Sequence, residues 1–113
     1  MWVFCKYGFF SAVQHKDKPG TLLVRARFKG DLERLVESMS EDERKLCSTV
    51  VETPIADYLF RMEIPKDVFA KVMERIASEI DYENFKDSVH EGNGSQRDYA
   101  YMRCWADLRL SQG

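Results

Sequence analysis

The reactive side chains of this 113-residue chain are few and scattered. Cys5, Cys47 and Cys104 are an odd number of thiols at wide spacing, with no CxxC pair. A metal site needs several Cys, His or carboxylate ligands that converge. His15 and His90 have no cysteine or second histidine near them in sequence, and His90 beside Glu91 is not a ligand set. The sequence therefore implies no metal and no cofactor. Catalysis by cysteine needs a base and an orienting group, and no motif here supplies them. Cys5 lies in an apolar stretch, Cys104 stands beside Trp105, and Cys47 is expected to be the most exposed of the three. Asp57, Asp81, Glu83 and Asp87 are available for acid–base work only because carboxylates are plentiful, and Asp81 reads first as a helix cap. No GxGxxG or Walker-type loop occurs. Gly92-Asn93-Gly94-Ser95 leads into a helix whose free N–H groups suit an anion, but Ser95 with Asp98 reads as a capping box.

Binding residues give more to work with. Arg25, Arg27 and Lys29 alternate along one strand face, and Arg61 is expected to join them from a neighbouring strand. RNA-binding sheets combine such a face with exposed aromatic rings. Alternation puts Phe28, Tyr58 and Phe60 on the opposite, helix-covered side, and sets Glu63 and Asp57 among the arginines. The sequence thus predicts a ladder of cross-strand ion pairs. Phe9 and Phe10 are neighbours, so in a strand they face opposite ways. One of them is expected to point outward and to anchor a partner.

The elements that position these residues follow from patterning. Residues 2–14 are aromatic and β-branched enough for a strand, interrupted by Gly8 at a bulge or tight bend. Pro19-Gly20 marks a β-turn. Residues 21–29 alternate as the second strand of an antiparallel hairpin, with Leu22, Val24, Ala26 and Phe28 inward. Asp31 is placed as the N-cap of a helix carrying Leu32, Leu35, Val36 and Met39 at helical spacing. Residues 40–45 form a loop or a short helical piece. An extended stretch over residues 49–64 is broken at Pro54. Pro65 opens an amphipathic helix with Val68, Phe69, Val72, Met73, Ile76, Ala77 and Ile80 in its stripe. A short helix after Asp81, a loop at residues 91–94, and a last helix with Tyr101, Met102, Trp105 and Leu108 on one face complete the order β-β-α-β-α-α-α. This is one α+β domain over residues 1–113: an antiparallel sheet of three to four strands, helices on one face, loosely ferredoxin-like.

Net charge is −2 overall, yet residues 1–30 carry +5 and the remainder −7. The total argues against wholesale binding to nucleic acid or an anionic membrane. No apolar run approaches the ~18 residues of a membrane span. With no signal-peptide pattern and no paired cysteines, a cytoplasmic protein with reduced thiols is expected.

Gly8-Phe9-Phe10-Ser11-Ala12-Val13-Gln14, Leu23-Val24-Arg25-Ala26-Arg27, Glu52-Thr53-Pro54, Asp57-Tyr58 and Ile80-Asp81-Tyr82-Glu83-Asn84-Phe85-Lys86 follow one another along the chain. Together with Val89 and the Tyr101 to Trp105 region, they resemble a family of small uncharacterised bacterial proteins of this length. The resemblance implies a fold unit and transfers no activity. Members often carry Tyr-His where Met102-Arg103 stand here.

Three functions fit these residues. The first is a non-enzymatic interaction module, binding another protein or itself through a strand edge or the open sheet face, with Phe9, Phe10, Arg25, Arg27, Arg61, Asn84 and Lys86 as candidate contacts. The second is a ligand-binding domain or enzyme with a polar site around Arg25, Arg27, Asp57, Tyr58, Asp81, Tyr82 and Asn84. The third is a weak nucleic-acid binder using the sheet face.

Overall fold

The structure, a computed structural model, describes residues 1–90 and 95–113. The loop read at residues 91–94, and the side chains of His90 and Ser95 with the capping role given to the latter, lie outside what is described. The chain divides into two compact units, Met1–Ile80 and Asp81–Gly113.

The first unit is α+β, built on an antiparallel sheet. Its strands are β1 (Trp2–Cys5), β2 (Gly8–Gln14), β3 (Thr21–Ala26), β4 (Val51–Glu52) and β5 (Phe60–Pro65). Their order is β1-β2-β3-β5-β4, which makes five strands rather than three to four. The extra strand comes from Gly8: residues 2–14 fold back on themselves, pairing Cys5 with Gly8 and Phe4 with Phe9. Every neighbouring pair is antiparallel. Strands β3 and β4 flank β5 and therefore run parallel to each other. The helical connection between them makes a split βαβ unit, while the strand on the other side of β3 is β2 and precedes that unit in the chain. At the β2–β3 turn, Gly20 has φ 75° and the Thr21 amide donates to the Lys18 carbonyl at 3.2 Å. That is the geometry Pro-Gly specifies at the centre of a type II turn.

One sheet face carries Phe10, Ala12, Val24, Ala26, Met62 and Ile64, all buried. Helices α1 (Lys29–Glu37) and α3 (Lys66–Ser78) cover it with Leu32, Leu35, Val68, Phe69 and Val72. Fully burying an aliphatic or Phe side chain contributes about 1.5–3 kcal/mol, so this layer is the main source of the unit's stability.

Two expectations near α1 are corrected. Strand β3 ends at Ala26, and Phe28, expected inward, is half exposed at the helix N-cap without a side-chain cap bond. Asp31 is not a cap either. It lies inside α1, 1% exposed, and accepts from the Phe9 amide at 3.1 Å and from Arg34 Nη2. Arg34 Nε in turn donates to the Tyr7 carbonyl at 2.8 Å. The β1–β2 turn has polar backbone groups that need partners where water is excluded, and α1 supplies them from one turn of helix.

Helix α2 (Glu41–Lys45) has a complete capping box, Ser40 with Glu43. The signal S-x-x-E was present in the sequence. Arg75 of α3 donates to both Glu43 carboxylate oxygens, at 2.8 and 2.9 Å, and to the Ser38 carbonyl at 2.8 Å. The Ser40 backbone amide, more than Arg75, holds the Glu43 carboxyl below its ordinary range. A depressed carboxyl contributes stability that is present above the unfolded pKa of about 4.3 and is lost as pH falls through the folded value. Glu43→Gln is therefore expected to be destabilised at pH 7 and to converge with the wild type in acid. Urea midpoints measured at both pH values check this, and an unchanged gap would refute it. Ser40→Ala is expected to cost about 1 kcal/mol by the same measurement.

The second unit contains α4 (Phe85–His90) and α5 (Ser95–Gln112). Asn84 Oδ1 accepts from the Asp87 amide at 3.1 Å, so Asn84 rather than Asp81 caps α4. Phe85 stacks on Tyr101 at 5.7 Å, and Val89 and Tyr101 are buried. The apolar face predicted for the last helix is only partly used. Tyr101 is buried, whereas Met102, Trp105 and Leu108 are exposed. Apolar side chains are spread around α5 rather than gathered on one side, because Tyr99 and Leu110 add to the scatter.

Candidate binding face

The second face of the sheet is assembled by register. Cα partners run Trp2–Ser11–Arg25–Arg61–Val51, a single row across all five strands. In the next row Phe4 pairs with Phe9, and on the other side Val13 pairs with Leu23 and Leu23 with Glu63. Side chains alternate along a strand, so these residues lie opposite the core layer of Phe10, Val24 and Met62. Phe10 is wholly buried and Phe9 is the outward member of the pair.

Aromatic rings gather at the β1 side. Phe4 and Phe9 stack at 4.5 Å with an interplanar angle of 22°, and Trp2 meets Phe9 edge-on at 5.8 Å. Trp2 is 68% exposed and Phe4 37%. Sequence reasoning missed both. Reading Gly8 as a hairpin turn would have found them, since the fold-back sets Phe4 opposite Phe9.

Tyr58 overturns the placement given by alternation. It precedes β5 and lies in a bend, where a two-residue period does not apply. It is buried on the second face, with the Arg25 guanidinium 4.7 Å and the Arg27 guanidinium 4.5 Å from its ring centroid, and Phe9 at 6.4 Å. The segment is fastened by Thr53, whose amide donates to the Leu59 carbonyl at 2.7 Å and whose hydroxyl accepts from Arg61 Nε at 3.1 Å.

The predicted ion-pair ladder is not formed. Arg27 does meet Asp57, at 3.3 Å. Glu63 turns away to Lys18 at 2.6 Å and His15 at 3.2 Å, and the Lys18 ammonium lowers its carboxyl pKa. Arg25 and Arg61 are direct cross-strand partners, and neither has a carboxylate among the described residues. Arg25 Nη2 donates to Ser11 Oγ at 2.9 Å, while its Nε is buried with no hydrogen-bond partner. Like charges set opposite each other in a sheet repel. The centre of this face thus holds two uncompensated cations beside exposed rings.

The remaining candidates have local roles. Asn84 caps α4, and Lys86 Nζ sits 3.8 Å from the Trp105 ring centroid, both in the second unit. Arg25, Arg27, Asp57 and Tyr58 belong to the first unit, Asp81 and Tyr82 to the second. Cys47, expected to be exposed, is half-buried. Its thiol donates to the Glu43 carbonyl at 3.3 Å, and burial raises its pKa, which lowers its reactive thiolate fraction. All three cysteines are free. Among the described residues no three His, Cys, Asp or Glu side chains are grouped to hold a metal ion, and no helix is long and apolar enough to cross a membrane.

Tyr7, in the β1–β2 turn, donates to Glu79 at 2.6 Å, and that bond pushes its pKa up to about 12. A tyrosine raised on folding contributes stability that is present below the unfolded pKa of about 10 and is lost as pH rises through the folded value. Ultraviolet titration is expected to show one phenol ionising near pH 12, absent in Tyr7→Phe. A Tyr7→Phe variant with the same titration curve would contradict the contact.

Compared with protein-family models, with curated proteins and with solved structures, the chain gives no match, so the resemblance to small bacterial proteins rests on its motifs alone.

Proposed function

We propose that this chain is a non-enzymatic binding module whose working surface is the second face of the sheet, around Trp2, Phe4, Phe9, Arg25 and Arg61. The observation that carries the reading is the Arg25–Arg61 opposition, left without a carboxylate beside two exposed rings. A sheet gains nothing in isolation from facing cations. An anionic partner relieves their repulsion, and exposed aromatic rings supply contact area at low entropic cost.

The test is an NMR titration of the full chain with three probes: inorganic phosphate, poly-glutamate and a single-stranded oligonucleotide. The expected result is movement of the Trp2 indole and of the Arg25 and Arg61 Nε–H resonances with at least one probe. Perturbations confined to other residues, or none with any probe, would overturn the reading.

A further inference from the structure

We infer that the partner of this face is single-stranded nucleic acid, an inference that rests on the binding-face reading above. The argument is one of paired chemistries. The face offers flat hydrophobic rings at one side, Trp2 and Phe4 with Phe9 beneath, and two unneutralised guanidinium groups at the other. A polynucleotide carries one π-face and one negative charge at every residue, so it satisfies both with one repeating unit. An acidic peptide satisfies the arginines but leaves the rings without a matching flat surface.

The dimensions agree. Trp2 and Arg61 stand in one row separated by three strand spacings, roughly 14 Å. That is the scale of sheet faces on which two or three bases stack. The pre-positioning is also in place. Ser11, itself 1% exposed, holds Arg25 Nη2, Thr53 holds Arg61 Nε, and Tyr58 backs Arg25 and Arg27.

Charge distribution removes the objection raised by the net charge. The −2 total averages a first segment at +5, which contributes β1, β2 and β3, with a remainder at −7. Of the carboxylates on the face, Glu63 is held by Lys18 and Asp57 by Arg27. The surface presented near Arg25 and Arg61 is cationic although the chain is acidic.

The experiment uses fluorescence anisotropy of labelled 12-nucleotide oligouridylate and oligothymidylate, with labelled poly-glutamate as a third arm, each over a salt series. Binding of an oligonucleotide at low salt is expected. Its affinity should fall with salt at a slope of about −0.7 per phosphate neutralised. Arg25→Gln with Arg61→Gln is expected to weaken binding and to flatten that slope by about 1.4. Trp2→Ala and Phe4→Ala are each expected to weaken binding by about fivefold or more with the slope unchanged. Circular dichroism of each variant establishes that it folds, and the Trp2 variant tests the inference even where an arginine variant does not. The uridylate and thymidylate arms distinguish RNA from DNA as the source of the shared chemistry. Binding of poly-glutamate without either oligonucleotide would overturn this inference and leave the binding face standing. Oligonucleotide binding indifferent to Trp2, Phe4 and both arginines would overturn the two together.

Discussion

Gly8→Ala is expected to destabilise the first unit by about 3 kcal/mol, one of the largest losses available from a single methyl group. Gly8 has φ 151°, a backbone conformation that L side chains rarely adopt. A Cβ there would lie 2.3 Å from Asp31 Cγ and 2.5 Å from its Oδ2. Asp31 cannot retreat cheaply, because it is buried and holds the Phe9 amide and Arg34. Asp31→Ala alone is expected to cost about 2–3 kcal/mol. That is below the range for breaking a fully buried pair, because Arg34 is partly exposed. The double variant should recover only part of the Gly8→Ala loss, since the Asp31 Cβ itself lies 2.6 Å from the added methyl and the backbone strain persists. Urea denaturation of the four proteins measures the coupling. A Gly8→Ala protein within about 0.5 kcal/mol of wild type would show that the turn is built differently.

Phe10→Ala and Phe9→Ala are expected to give opposite outcomes from adjacent positions. Phe10 is wholly buried between the sheet and its helices, and truncation leaves a cavity at a cost of about 3–5 kcal/mol. Phe9 is half-buried on the other face, where its stacking with Phe4 is worth about 1 kcal/mol beyond area. Its loss should leave the fold largely intact and weaken ligand binding, because Phe4 and Trp2 lose the ring they pack on. Thermal melting and anisotropy on both variants read the two effects separately. Equal loss of stability at the two positions would contradict the assigned faces.

Much of the local structure was legible in the residues. Pro19-Gly20 specified its turn, and Pro65 with the stripe after it specified α3. Alternation in residues 21–26 specified which side of β3 meets the core. Each of these rests on interactions among near neighbours. The errors share a cause as well. Gly8 was read as an interruption, although its positive φ and a side chain 23 positions later together explain why a glycine stands there. Asp31 resembled a cap because it follows a glycine near a helix start, but its partners are on a hairpin distant in sequence. Tyr58 was assigned a face by extending a strand period past the strand's end.

By itself the sequence determined the class of the fold, the arginines on the non-core side of their strands, and the opposite orientations of Phe9 and Phe10. Tertiary structure alone decided that Arg25 faces Arg61, that Glu63 is drawn away to Lys18, and that Trp2, Phe4 and Tyr58 join the same surface. The reason is register: a period of two fixes the face of a side chain within its own strand, while only the pairing of strands fixes its neighbours.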